Sequence, residues 1–181
     1  MLKQTPIPAG AIPPAAPAHA VSLPMIIQHQ EQDQWCWAAV TTSIASYYQA
    51  TSAWTQCSLA CAELGNATCC ADGSIAECDK PWFLNLALSR VQHLQQRIEG
   101  QIDDATIIAC LSGGQPIGIR IQWADMSGHF IAIVGIRKEQ DGTVSLALDD
   151  PIYGPSTHGR SDLAGQYQGA GTWTHTYTTQ K

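Results

Sequence analysis

The chain carries little charge and no cluster of it. Charged residues make up 13% of its 181 positions, about half the ~25% of an average globular protein. Nine Lys and Arg stand against fifteen Asp and Glu, a net charge of −6, and the basic residues form no run. A nucleic-acid binder rests on a basic stripe, so no nucleic-acid partner is expected. No stretch approaches the ~18 consecutive apolar residues of a membrane-spanning helix, so no membrane span is expected. Internal repeats are absent. The paired C-x2-C knuckles and nearby histidines of zinc modules are also missing, and no metal is expected.

What remains fits one domain with a tail. Single domains run roughly 100–200 residues, and a chain this long buries a core without needing a metal or disulfide merely to fold. Residues 5–20 hold five of the ten prolines and no charge. Proline at that density prefers extended backbone. We read 1–22 as a flexible Pro/Ala-rich tail or leader remnant and 23–181 as the domain. Ala18-His19-Ala20 has the small-x-small form of a signal-peptidase site, but the apolar stretch before it is broken by proline.

Seven cysteines leave at least one thiol without an intrachain partner. Cys57, Cys61, Cys69, Cys70 and Cys78 cluster, Cys110 lies further on, and Cys36 stands alone upstream. The cluster points to disulfides and an oxidising compartment, hence a secreted or periplasmic protein. Adjacent Cys69 and Cys70 must each bond elsewhere. The connectivity of the six is left open.

Periodicity turns helical from Gln34, where Trp37, Val40, Ile44, Tyr47 and Tyr48 recur at spacings of three and four. Asp33 is the expected N-cap, which puts Cys36 in the first turn. Segment 51–80 has little periodicity and reads as a long loop or set of turns. Pro81 is placed to open a second helix carrying Trp82, Phe83, Leu86 and Leu88. A third is expected from Asp103 to the stop at Gly113-Gly114. The pattern then changes: 115–122 alternates, 129–136 is almost continuously apolar and β-branched, Asp141-Gly142 signals a hairpin into 143–149, and a last strand falls near 172–178. Helices first and an antiparallel sheet after them indicate an α+β fold.

Cys36 at a helix start faces unpaired N–H groups and the positive end of the dipole, both of which favour thiolate over thiol. An ordinary buried cysteine is the alternative. Gly128-His129 opens an apolar strand, and Asp149-Asp150-Pro151 closes the next. In an antiparallel pair the start of one strand lies beside the end of its neighbour, so His129 and this acidic pair are expected to meet. A carboxylate on one ring nitrogen frees the other to take a thiol proton. Asp149 and Asp150 point to opposite faces, so only one of them serves. Gln30, six residues before Cys36, has an amide that could join the Cys36 N–H in an oxyanion hole.

These residues resemble a known family. Residues 30–48 (QEQDQWCWAAVTTSIASYY), GHFIAIVGI and LDDPIYGPS are together similar to bacterial papain-like cysteine peptidases. The nearest look is of the small forms that include bacteriocin-leader peptidases and plant-pathogen effector proteases. The ordered set Q-x5-C-W-A-A, then G-H-F, then D-P carries the resemblance. It implies a reduced papain-like fold, with N-terminal helices packed on a C-terminal antiparallel sheet. It implies Cys36 as nucleophile, His129 as general base and acid, Asp150 (before Pro151) as the orienting carboxylate with Asp149 as competitor, and Gln30 as oxyanion donor. The product is a monomeric hydrolase of protein or peptide substrates that needs no cofactor. The His129-to-Asp150 separation of 21 residues is long for such chains, with the excess in the hairpin near 137–142. One lobe of the usual cleft must be reduced, and 55–80 is expected to replace part of it.

Trp35 and Trp37 flank the nucleophile at an angle that sends one inward and the other to the cleft border. With Gly128 they are the candidate cleft residues. Trp123 lines a subsite or packs in the core. His158 is expected in solvent and His175 on a strand surface. The same triad serves transglutaminases and deamidases, and a disulfide-stabilised secreted binding module is the non-enzymatic alternative.

Overall fold

A computed structural model describes residues 18–181. Thirteen residues of helix, α1 (Cys36–Tyr48), run through the middle of the molecule. Around it stand α2 (Gln56–Leu64) and α3 (Leu84–Arg90); α4 (Asp104–Ser112) lies apart from them. The strands are β1 (His19–Ser22), β2 (Leu94–Glu99), β3 (Ile117–Gln122), β4 (Gly128–Lys138), β5 (Val144–Asp149), β6 (Ser156–Gly159), β7 (Ala164–Tyr167) and β8 (Gly171–Thr179). They form one antiparallel sheet in the order β2-β8-β3-β4-β5-β6, with β1 added to β4 and β7 to β8. The α+β class is as expected.

The near-continuous apolar run of β4 has a direct cause. Its two faces feed two cores, as a strand buried on both sides requires. Phe130, Ala132 and Val134 pack with α1, α2 and α3. Ile131, Ile133 and Ile136 pack with Ile107 and Leu111 of α4 and with β3 and β5. The switch from odd to even numbers coincides with a register shift against β5 between Ile133 and Gly135.

Several boundaries differ from the sequence reading. Residues 1–17 of the expected tail lie outside the described residues, and 19–22 pair with β4 from Lys138 to Gly135. Asp33 does not cap α1; Trp35 occupies that position, with no side-chain cap. Instead the Asp33 carbonyl accepts the Gln30 amide. The segment 51–80 is not all loop: Thr55 and Ser58 close a capping box that starts α2. Pro81 does not open α3, which starts at Leu84. The residues before it are held extended, with Trp82 bonded to Glu63.

Two disulfides join Cys57 to Cys70 and Cys69 to Cys78, so the adjacent cysteines do take different partners. Cys36, Cys61 and Cys110 are free thiols. No helix among the described residues is long and apolar enough to cross a membrane.

Candidate active site

Local sequence explains where each group sits. Cys36 is the first residue of α1 and is buried. The helix start is fixed from the side: the Trp35 indole donates to the Cys78 carbonyl at 2.8 Å, the Trp37 indole to the Lys80 carbonyl at 3.0 Å, and the Gln34 N–H to Asp79 at 2.8 Å. Both indoles are fully buried (1% and 0% exposed). Trp35 and Trp37 therefore do not line a cleft, contrary to the sequence reading. Burying an indole requires a partner for its N–H, and the 78–80 segment supplies one for each. The Cys69–Cys78 bridge anchors that segment.

His129 is the second residue of β4 and is 4% exposed. Asp150 follows the last residue of β5, and Asp149 pairs with Ala132 of β4, which brings the end of β5 beside the start of β4. His129 Nε2 donates to Asp150, 2.9 Å from each carboxylate oxygen. Asp150 also accepts the Ile152 and Tyr153 N–H groups at 2.7 and 3.0 Å and the Tyr167 hydroxyl at 2.6 Å. Asp149 is equally buried but turned away: it accepts the Ile27 N–H at 2.8 Å, and its other oxygen has no partner among the described residues.

The electrostatics separate the two acids. Burial raises Asp149 above the usual carboxylate range. Burial works the same way on Asp150, but the bond and charge of His129 and the Tyr167 hydroxyl outweigh it, and the carboxyl is held below that range. On His129, burial opposes the charged ring. The Asp150 bond, the bond and charge of Cys36, and the Asp150 charge prevail and lift it to about 9. Cys36 and Asp150 thus both favour the charged imidazole, and Asp150 bonds it directly.

Gln30 is buried in the strap that leads into α1. Its N–H donates to the Pro151 carbonyl, so the strap is tied to the turn after Asp150. Gln56 also clamps it, accepting from Glu31 and donating to the His29 carbonyl. The Gln30 amide nitrogen donates to the Gln32 and Asp33 carbonyls at 2.9 and 2.7 Å, and its oxygen is buried without a partner among the described residues. Both amide protons are engaged there, whereas the first turn of α1 carries no side-chain cap.

Trp123 stacks on the His129 ring, centroids 6.3 Å apart, and on Tyr167 at the same distance. Gly128 is exposed at the mouth of a cavity. His158 is not in solvent: it is half-buried in β6, 5.1 Å from the Tyr167 ring. His175 lines the same cavity as Gly128. Tyr167 and Gln56 escaped the sequence reading, since neither stands in a motif.

A family model described as papain-like cysteine protease AvrRpt2 matches residues 17–162. A crystal structure of the Pseudomonas avirulence protein AvrPphB is similar at 10% identity with a TM-score of 0.41, over 86% of this chain and 96% of that one. A search of curated proteins finds no match.

Proposed function

The chain belongs to the papain-like cysteine protease family of AvrRpt2, and from that premise we propose that Cys36, His129 and Asp150 are its catalytic triad for peptide-bond hydrolysis. The observation that carries this reading is the bond of His129 to a buried carboxylate that takes four donors, with the helix-start thiol of Cys36 acting on the same ring.

At about 9 the ring is cationic in neutral solution and can serve as a proton donor. The sulfur attacks the scissile carbonyl carbon and a C–S bond forms. The resulting oxyanion lies at the uncapped start of α1, within reach of the Cys36 N–H. Gln30 joins it by giving up one of its two carbonyl bonds. His129 passes its proton to the leaving nitrogen as the C–N bond breaks. Water, deprotonated by the neutral ring, then attacks the thioester and releases the acid, and the ring is again cationic. Asp150 keeps the ring oriented throughout and stabilises its cation.

A proteome-derived peptide library and mass spectrometry test the reading. Cys36→Ala is expected to remove all cleavage while circular dichroism and melting stay close to wild type. Cleavage that survives in that variant, or glutamine deamidation or cross-linking in place of new termini, would overturn it. The two disulfides support a secreted or periplasmic site of action.

A further inference from the structure

A cavity of about 650 Å³ opens at the start of β4, within the ~300–1,000 Å³ of ligand sites. Gly128 and Phe130, the residues flanking His129, belong to its wall. Phe130 and Tyr177 meet edge to face at 5.8 Å as its buried floor. Across from them Phe83 and Leu86 stand 62% and 44% exposed.

The cavity is also cationic. The Arg120 guanidinium lies across the Gly128 backbone: a Cβ at that position would meet its Nε and Nη2 at 2.6 and 2.7 Å. Arg120 is half-buried, and its Nη1 donates only to neutral groups, Gln122 Oε1 and Thr174 Oγ1. None of the salt bridges among the described residues includes it, although the chain has fifteen carboxylates. Arg97 lines the same cavity and meets one exposed carboxylate, Glu99. His175 is the third basic group; burial and then the two arginines hold it below the usual range, so it is neutral near pH 7. Two guanidiniums face one carboxylate, and the charge left over sits on the wall that Gly128 and Phe130 share.

We infer that this cavity is a subsite for an acidic residue of the substrate, with Arg120 as the residue that sets this preference. The inference rests on the protease reading above. A guanidinium presents a planar fork that matches a carboxylate, and the aromatic floor receives the aliphatic stem or an apolar neighbour. Glycine at 128 leaves room for the fork, since a side chain there would displace it.

The test uses pairs of peptides that differ only in Glu or Gln, with the exchange moved through each position on both sides of the cleaved bond. The reading is the ratio of kcat/KM values. At one position the wild-type protein is expected to favour Glu about tenfold, the order of one charge-assisted hydrogen bond. Arg120→Gln brings that ratio near one, Arg120→Glu inverts it in favour of Gln, and Gly128→Ala lowers it. If Arg120→Gln fails to fold, Arg97→Gln, which changes an exposed residue, lowers the same ratio about twofold. A wild-type ratio near one at every position, or one unmoved by loss of Arg120, overturns the subsite. Cys36→Ala keeps the two readings apart. Cleavage surviving in that variant counts against the protease, while the same peptides titrated onto it by tryptophan fluorescence still rank Glu against Gln. Preference for Glu there supports the subsite, and equal binding overturns it.

Discussion

The two sides of the site are held by different physics. The Cys36 side is irregular chain braced by covalent and indole contacts: the Cys69–Cys78 bridge, the 78–80 carbonyls, and two buried tryptophans around Cys36. The histidine side is sheet. The β4–β5 register sets the separation of His129 and Asp150, and a closed set of hydrogen bonds fixes the carboxylate. A sheet places its residues by a ladder that many strands share, so it needs no local staple. A helix start flanked by loops has no such ladder, and here cross-linking takes its place. The 21-residue separation is harmless for the same reason, because the hairpin beyond Lys138 extends away from the paired ends.

The sharpest way to break this comparison is at the acidic pair. Asp150→Ala leaves four donors facing a void, and kcat/KM is expected to fall about 10²–10⁴-fold. Asp149→Asn keeps an acceptor for Ile27 and should change it less than about threefold. The pH profile carries the sign. His129 is raised to about 9, so the cation that the proposed mechanism uses to protonate the leaving amine is present below that value and lost as pH rises through it. The alkaline limb of kcat/KM should therefore fall near pH 9 in wild type and Asp149→Asn. In Asp150→Ala it moves down towards the ~6.5 of a free imidazole. Equal losses from the two acids would mean that β5 as a whole, not Asp150, holds the ring.

The loop side is tested by its bridges. The double variant Cys69→Ser, Cys78→Ser is expected to lose about 2–4 kcal/mol in chemical denaturation and to slow iodoacetamide alkylation of Cys36 several-fold, because the Trp35 and Trp37 acceptors lose their anchor. The matching Cys57→Ser, Cys70→Ser variant lowers stability but leaves Cys36 alkylation near the wild-type rate, since that bridge bonds neither indole. If both pairs slowed alkylation equally, the effect would be general loosening rather than positioning through residues 78–80.

What could be read in the sequence follows the same division. The strands β3, β4, β5 and β8 and the helices α1 and α4 announced themselves by period and by turn residues, and the meeting of His129 with the acidic pair followed from antiparallel pairing alone. The choice of Asp150 over Asp149 came from the resemblance; in the structure Asp150 bonds His129 and Asp149 bonds the Ile27 N–H. The loop side was obscure. Helix α2 is short, weakly amphipathic and hidden among cysteines, and its capping box uses Ser where Glu or Gln is the stronger signal. Strand β2 is largely exposed and polar, so it lacks the alternation that marks a strand. The fate of Trp35 and Trp37 could not be read either, because their acceptors are backbone carbonyls more than forty positions away.

The smallest expected effect concerns Tyr167, the one hydroxyl on Asp150. Burial and then the Asp150 bond hold this phenol in its protonated form far above its ordinary range, so it serves as a permanent donor. Tyr167→Phe keeps the ring between Trp123 and His158 and removes only that donor. Asp150 retains His129 and the Ile152 and Tyr153 N–H groups, so the carboxylate stays in place with one bond fewer. Stability is expected to fall by about 1.5–3 kcal/mol, the range for a hydrogen bond to a charged group, and kcat/KM by about threefold. A loss as large as that of Asp150→Ala would place the weak point of the sheet side in this single hydroxyl, and the contrast with the stapled loop side would then disappear.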